Sequence, residues 1–462
     1  MVKTRKNYSN KGGRVIASGG FGCVFDPALK CIDSSKRDSN KISKLMTVRH
    51  ATQEYEEINQ IKQKLDSIQN YKDYFLIYDT TLCRPAKLSS SDLNAFKDKC
   101  TALPKDNITK TNINSKLNEV MSLNLPNGGL PVDDYIYSNG GYEKLYKTHN
   151  ALVNLVKKGI IPMNKRKIYH SDIKDSNILM DDRNSNNNSN NNDSLKARLI
   201  DWGLSLEYDP ESKSTFPKNW RNRPLQFNVP FSVIIFTDLF YEKYTNYLND
   251  GGKVESASLK PFVISYLKEW MKERGSGHYK FINEIMFLLY SHTLTSVSED
   301  DKPAVIETEI TMPYIIDYIV EVLLHYTKFK PDGSLNLREY LNNVYIKIVD
   351  VWGFITVYYP FLEMFSNHYA NLNDNELKIL NQLKYIFNEY LYKPRSSPII
   401  MNELYNDLKI LGDLLYVVSY EHKSSVARGI RTRKIRKNEN LAIFNRKKLV
   451  KRFKKPFFLS LH

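Results

Sequence analysis

Four polar residues in the middle of the chain have the types and spacing that phosphoryl chemistry needs. Asp172, Lys174 and Asn177 stand together in His170-Ser171-Asp172-Ile173-Lys174-Asp175-Ser176-Asn177-Ile178-Leu179-Met180, and Asp201 follows in Leu199-Ile200-Asp201-Trp202-Gly203. Moving a phosphoryl group from a nucleotide to a hydroxyl requires a carboxylate near the attacking oxygen, a cation on the transferred group, and oxygen ligands for magnesium between the phosphates. One short loop offers a base, an ammonium and a metal ligand, and Asp201, at the end of an apolar run, offers the second metal carboxylate. Singly, each residue has an ordinary reading as a turn Asp or a solvated Lys; the argument lies in finding all four in order. Upstream, Gly19-Gly20-Phe21-Gly22 sits between the short apolar runs Arg14 to Ile16 and Cys23 to Phe25. That pattern predicts strand, tight turn, strand, and serves a plain hairpin as well as a loop over phosphates.

The elements that would hold these residues can be read from periodicity. Lys41 to Met46 is a short run, and Ile58, Ile61, Leu65 and Ile68 are spaced for an amphipathic helix. Tyr74 to Tyr78 is strand-like, and Leu-Pro-Asn-Gly-Gly-Leu-Pro at 125–131 reads as a connector between two lobes. Leu145, Leu152, Leu155 and Val156 mark one face of a helix expected to end near Lys157-Lys158-Gly159. Asn184 to Asn192 is almost all Asn and Ser, too poor in apolar groups to offset its ordering entropy, and reads as a loop insertion. Helical patterns recur from Phe262 to Phe329, as in Ile315, Ile319, Val322 and Leu323, and again from Tyr345 to Tyr420.

With these residues in view, the sequence resembles the eukaryotic-type protein kinase family, most closely its serine/threonine branch and, by composition and the Pro-Leu-Gln-Phe-Asn-Val-Pro-Phe-Ser run, the kinases of large cytoplasmic DNA viruses. The resemblance implies an α+β, bilobal fold with a small β-rich N-lobe over 14–126 and a large helical C-lobe over 127–420. In it, Ile16, Ala17, Ser18, Gly19, Gly20, Phe21, Gly22, Cys23 and Val24 are similar to the nucleotide-covering loop, Ala17 standing where the family has its first glycine. Lys44 resembles the lysine that holds the α and β phosphates of ATP, with Lys41 as the fallback. Its carboxylate partner is expected on the next helix, where Glu54 and Glu57 both qualify and Glu57 is slightly favoured. Asp172, Lys174 and Asn177 fit the D-x-K-x-x-N catalytic loop, and Asp201-Trp202-Gly203 fits the magnesium triplet, so that Asp172 and Lys174 are implied as catalytic and Asn177 and Asp201 as ligands of Mg2+. Arg223 to Ser232 takes the place of the Ala-Pro-Glu element without matching it. Asp350-Val351-Trp352-Gly353 resembles the buried helix that supports the catalytic loop, about 110 residues late, with Asp238 a nearer but poorer match; this implies a helical insertion at about 240–343. Ser171 stands where many members carry an arginine that pairs with an activation-segment phosphate.

Composition narrows the class. At 42% hydrophobic over 462 residues the chain is neither disordered nor fibrous. Residues 421–462 hold 14 Lys and Arg against 2 acidic residues, so +12 of the net +16 belongs to a C-terminal tail and the remainder is nearly balanced. Such a tail suits an anionic partner, nucleic acid or an acidic surface; residues 1–13 form a second, shorter basic segment. Cys23, Cys31, Cys83 and Cys100 lack paired spacing and read as free thiols of a reducing compartment. With no signal peptide or transmembrane pattern, a cytoplasmic protein is expected, in host cytoplasm or virion if viral. The activity implied is ATP- and Mg2+-dependent phosphorylation of a protein substrate. The alternatives are a nucleotide-binding pseudokinase and a basic scaffold on the same fold.

Overall fold

The computed structural model describes residues 13–138, 141–182, 195–211, 216–331 and 333–427. Its contacts divide the chain into two compact units. The first runs to Gly129 and takes in Arg198–Gly203; the second holds Leu130–Ala197 and the chain from Leu204 onward.

The first unit is built on a five-stranded antiparallel sheet of β1 (Arg14–Ser18), β2 (Gly22–Asp26), β3 (Lys41–Thr47), β4 (Thr81–Cys83) and β5 (Val120–Pro126), in the order β1-β2-β3-β5-β4. The expected glycine hairpin is present, with Ser18 opposite Cys23, and β2 places Val24 opposite Lys44 of β3. Alternation sends Cys23, Phe25 and Leu45 to a core shared with Val15, Phe96, Leu103 and Val120. Helix α1 (Val48–Leu65) follows β3 directly and buries Ala51, Ile58 and Leu65. The strand expected at Tyr74 to Tyr78 does not form. Only Phe75 makes a parallel bridge, to Leu199, the last residue of the short strand Lys196–Leu199, so the pairing ends where that strand ends.

The cysteines correct another expectation. All four are paired, Cys23 with Cys100 and Cys31 with Cys83, with Cα separations of 5.2 and 5.8 Å. The partners lie 77 and 52 residues apart in sequence, so only the folded sheet brings them together.

The second unit is mostly helical. The helix Tyr142–Leu155 does not stop at Gly159: a π-helical turn, Val156–Ile160, carries it on to Ile161–Lys165, because Ile160 and Met163 prolong its buried face. Within the expected insertion lie the helices Ser256–Arg274, Tyr279–Tyr290 and Met312–Tyr326, the last burying Ile315, Ile319, Val322 and Leu323. The helical run Arg338–Asn367 is long and apolar enough to cross a membrane, but its most apolar window is 94% buried inside the unit, so it serves as a core element. The helix Met401–Ala427 continues past the boundary expected at 420. The rest of the basic tail, the first twelve residues and the Asn-rich stretch lie outside the described residues.

Candidate active site

The predicted residues fall into two groups, one in each unit. In the first unit, Lys44 Nζ lies 2.8 Å from Oε1 and 2.7 Å from Oε2 of Glu54. The partner expected at Glu57 is thereby corrected, since Glu57 instead accepts a hydrogen bond from Gln53 Nε2 at 2.9 Å. Helical phase explains the choice. At 100° per residue Glu54 falls on the stripe of Ala51, Ile58 and Leu65, whereas Glu57 is rotated away from it. Burial raises the Glu54 pKa, Lys44 opposes that rise, and the nearby Asp201 adds to it. The Lys44 stem also reaches the glycine hairpin: a Cβ on Gly19 would lie 3.9 Å from its Cε. Lys41, the alternative, instead donates to the Asp79 carbonyl at 2.7 Å. The hairpin is tied back by Ser18, whose Oγ accepts the amides of Thr101 and Ala102 at 3.1 Å each. Phe21 at its tip is exposed.

Asp201 belongs to the same unit because the segment before it is sewn to residues 72–76. Leu199 N donates to Tyr74 O at 2.8 Å, Leu76 N to Leu199 O at 3.0 Å, and Arg198 Nε to Lys72 O at 2.8 Å. Trp202 packs edge-on against Phe75 at 5.7 Å. Asp201 itself has φ of 64°, a left-handed conformation uncommon outside glycine. Its carboxylate is exposed and makes no hydrogen bond among the described residues.

In the second unit Asp172 is 6% exposed and enclosed by donors. Lys174 Nζ lies 2.9 Å from Oδ2, Asn177 Nδ2 3.0 Å from Oδ2, and Asn228 Nδ2 2.8 Å from Oδ1. Burial works to raise the Asp172 pKa, but Lys174, Asn228 and His170 outweigh it and hold the carboxyl below its ordinary value. Asn177 also donates to the Asp172 carbonyl at 2.8 Å. With its amide nitrogen committed, its Oδ1 is left as an oxygen donor. Asn177 and Asp201 are thus hard oxygen donors of the kind magnesium takes, and the residue types fit that ion.

The loop is held from below by Asp350, which is 1% exposed on the helix Ile346–Thr356. Its carboxylate accepts the amides of Ser171 at 2.8 Å and His170 at 2.9 Å, and Asn164 Nδ2 at 2.7 Å. Gly353, one turn on, faces the loop where a Cβ would lie 2.7 Å from the Ile173 carbonyl, so no larger residue allows this approach. Asp238, the other candidate, is exposed and pairs with Arg221. From the segment after the Asp-Trp-Gly triplet, Trp220 Nε1 donates to Ser171 Oγ at 2.9 Å and Arg223 Nη1 to Ser171 O at 3.0 Å.

Asn228, Trp220 and Arg223 were not singled out by sequence reasoning. Arg223 and Asn228 lie in the Arg223–Ser232 stretch that does not match the Ala-Pro-Glu element, Trp220 lies just before it, and no spacing in the sequence marks any of the three.

No protein-family model matches the sequence, and none of the curated proteins matches it. Among solved structures, the crystal structure of the PF14_0431 kinase domain is similar over 51% of this chain and 61% of its own, at 14% identity and a TM-score of 0.28. The chain therefore spans about three-fifths of that structure, and the functional reading rests on the residues described above.

Proposed function

We propose that this chain is a protein kinase transferring the γ-phosphoryl group of ATP to a serine or threonine hydroxyl. The observation that carries this reading is the enclosure of Asp172 by Lys174, Asn177 and Asn228. A buried carboxylate held ionised and oriented by three donors is what a proton acceptor for an attacking hydroxyl requires. Asp172 takes that proton; Lys174, beside it, neutralises charge on the transferred group. Lys44, oriented by Glu54, positions the nucleotide's phosphates under the Gly19–Gly22 hairpin. Asn177 and Asp201 would hold Mg2+, which when bound neutralises charge on the nucleotide's phosphates.

The test is radiolabelled γ-phosphate transfer by purified full-length protein to itself and to a generic basic protein, followed by phosphoamino-acid analysis. Phosphoserine or phosphothreonine is expected, lost in Asp172→Ala while ATP binding is kept. Nucleotide binding with no transfer by the wild-type chain would leave the scaffold reading in its place.

A further inference from the structure

The second unit contains a cavity that the proposed transfer does not use. It holds about 240 Å3 and is lined from the ends of the helices Tyr279–Tyr290 and Tyr359–Asn367 and the start of the helix Lys302–Ile306. Sites for drug-sized ligands run from about 300 to 1,000 Å3, so this one suits a smaller molecule. Phe287 and Leu288, both buried, give it an apolar wall. Asn367, Tyr369 and Ala370 also line it and are exposed, so the cavity opens to solvent.

Its charges are unbalanced. Lys302, a lining residue only 8% exposed, donates one hydrogen bond, at 2.6 Å, to Glu299. An ammonium has three donors, and the other two have no acceptor among the described residues. The hydroxyl of Ser291, another buried lining residue, makes no hydrogen bond among the described residues. Lys384 adds a second ammonium, 5.8 Å from the centre of the Tyr369 ring, with no carboxylate paired to it among the described residues. His292 stacks on the same ring at 4.1 Å and is held by Ser366, whose Oγ lies 2.9 Å from its Nε2. Burial and the ammonium groups of Lys384 and Lys302 push the His292 pKa down to about 4, so the imidazole is uncharged at neutral pH and both ammonium groups act at the cavity. Burial also lowers the Lys384 pKa to about 8, an effect that an anion in the cavity would oppose.

Two ammonium groups against the single carboxylate of Glu299 leave an excess of one positive charge, which a monoanion complements. The apolar wall fits a carbon body attached to that charge. We propose that this cavity binds a small organic monocarboxylate, with its charged end at Lys302 and the Ser291 hydroxyl and its body against Phe287 and Leu288. None of the lining residues belongs to the candidate active site, so such binding stands independently of the kinase reading.

Benzoate is a suitable probe, with benzamide as its uncharged counterpart, and titration calorimetry on the full-length protein measures the binding of each. Saturable benzoate binding is expected, at least about tenfold tighter than that of benzamide, which brings no charge to Lys302. Ser291→Ala removes only a hydroxyl and should weaken benzoate about tenfold, the loss of one hydrogen bond to a charged group. Lys302→Met keeps the stem and should weaken it further. Benzoate should also shift the ring signals of His292 in NMR spectra, identified by their absence in His292→Gln. The proposal is overturned if benzoate shows no saturable binding, if benzamide binds as tightly, or if folded Ser291→Ala or Lys302→Met protein binds benzoate as the wild type does. Inorganic phosphate that displaces benzoate at concentrations where acetate does not would likewise overturn it, since the site would then select phosphate over carboxylate.

Discussion

Asp350 Oδ1 accepts the backbone amide of Ser171 at 2.8 Å across 179 residues of sequence, and its second oxygen takes the amide of His170. These bonds fix the backbone on which Asp172 stands. Asp350→Ala would bury two amides without partners, each costing about 1–3 kcal/mol. We expect denaturant unfolding to show a loss of roughly 3 kcal/mol, with transfer activity falling alongside. A variant as stable as the wild type would mean that the loop finds other acceptors.

The Lys44–Glu54 pair predicts an asymmetry between two neighbouring glutamates. Glu54→Ala frees the Lys44 ammonium from its bidentate partner and should reduce transfer by about 10- to 100-fold, whereas Glu57→Ala removes only an exposed contact with Gln53 and should stay within about twofold. The reverse order of effects in steady-state assays would restore Glu57 to the role expected from the sequence.

From the sequence Glu57 is slightly favoured over Glu54. Both have apolar residues at helical spacing, and only the phase of α1 against β3 separates them, a tertiary fact. That Asp172, Lys174 and Asn177 meet was, by contrast, legible, because the three lie within six residues of one another. Asp350 was legible despite its distance, since Asp-Val-Trp-Gly combines a buried carboxylate with a small residue where close approach demands one. The disulfides were not, because their partners meet only once the sheet has formed.

Ionisation of Asp172 supplies a pH test. Its folded pKa lies below the ordinary 3.8, Lys174 and Asn228 outweighing the effect of burial. In the proposed transfer Asp172 would act deprotonated, so between about pH 5 and 7 its titration should leave no slope in kcat/KM for the acceptor. Lys174→Met removes the charge that holds the carboxyl down and should move the acid limb to higher pH, whereas an acid limb near pH 6 in the wild type would contradict this sign.

Stability in acid should report on a different carboxylate. Asp92, 1% exposed, accepts Arg37 Nη1 at 2.8 Å and Nη2 at 3.0 Å and two bonds from Ser89. Burial opposes its charge, but Arg37 and Ser89 hold its pKa below the ordinary 3.8. A depressed folded pKa means that the pair's stabilisation is fully present above the unfolded value and is lost as pH falls through the folded one. Asp92→Asn should therefore cost about 3 kcal/mol at neutral pH, and the gap to wild type should close only below about pH 4. A gap that is constant from neutral pH down to acid unfolding would show that the Asp92 charge is not what stabilises the wild type.

The last prediction concerns how the segment after Asp201 is held against the catalytic loop. In many kinases an arginine before the catalytic aspartate binds a phosphate on that segment, and charge-assisted hydrogen bonds order it. By the resemblance of its loop to theirs, Ser171 stands at that position, and its hydroxyl cannot replace the charge. It instead accepts the Trp220 indole N–H at 2.9 Å, while its carbonyl accepts Arg223 at 3.0 Å. Trp220 is fully buried among Tyr169, Tyr208 and Tyr345, so the anchor is made by packing and a neutral hydrogen bond that need no modification. Of the candidate phosphosites, Ser212, Ser214 and Thr215 lie outside the described residues, and Ser205 precedes them. Changing all four to Ala should leave the transfer rate within about tenfold, equivalent to roughly 1.4 kcal/mol in the barrier. Trp220→Phe keeps the ring but removes the N–H, and should lower the rate more than the fourfold substitution does. If the fourfold variant instead loses about a thousandfold and one phosphorylated site restores it, a phosphate has taken over the anchoring that we assign to Trp220 and Arg223.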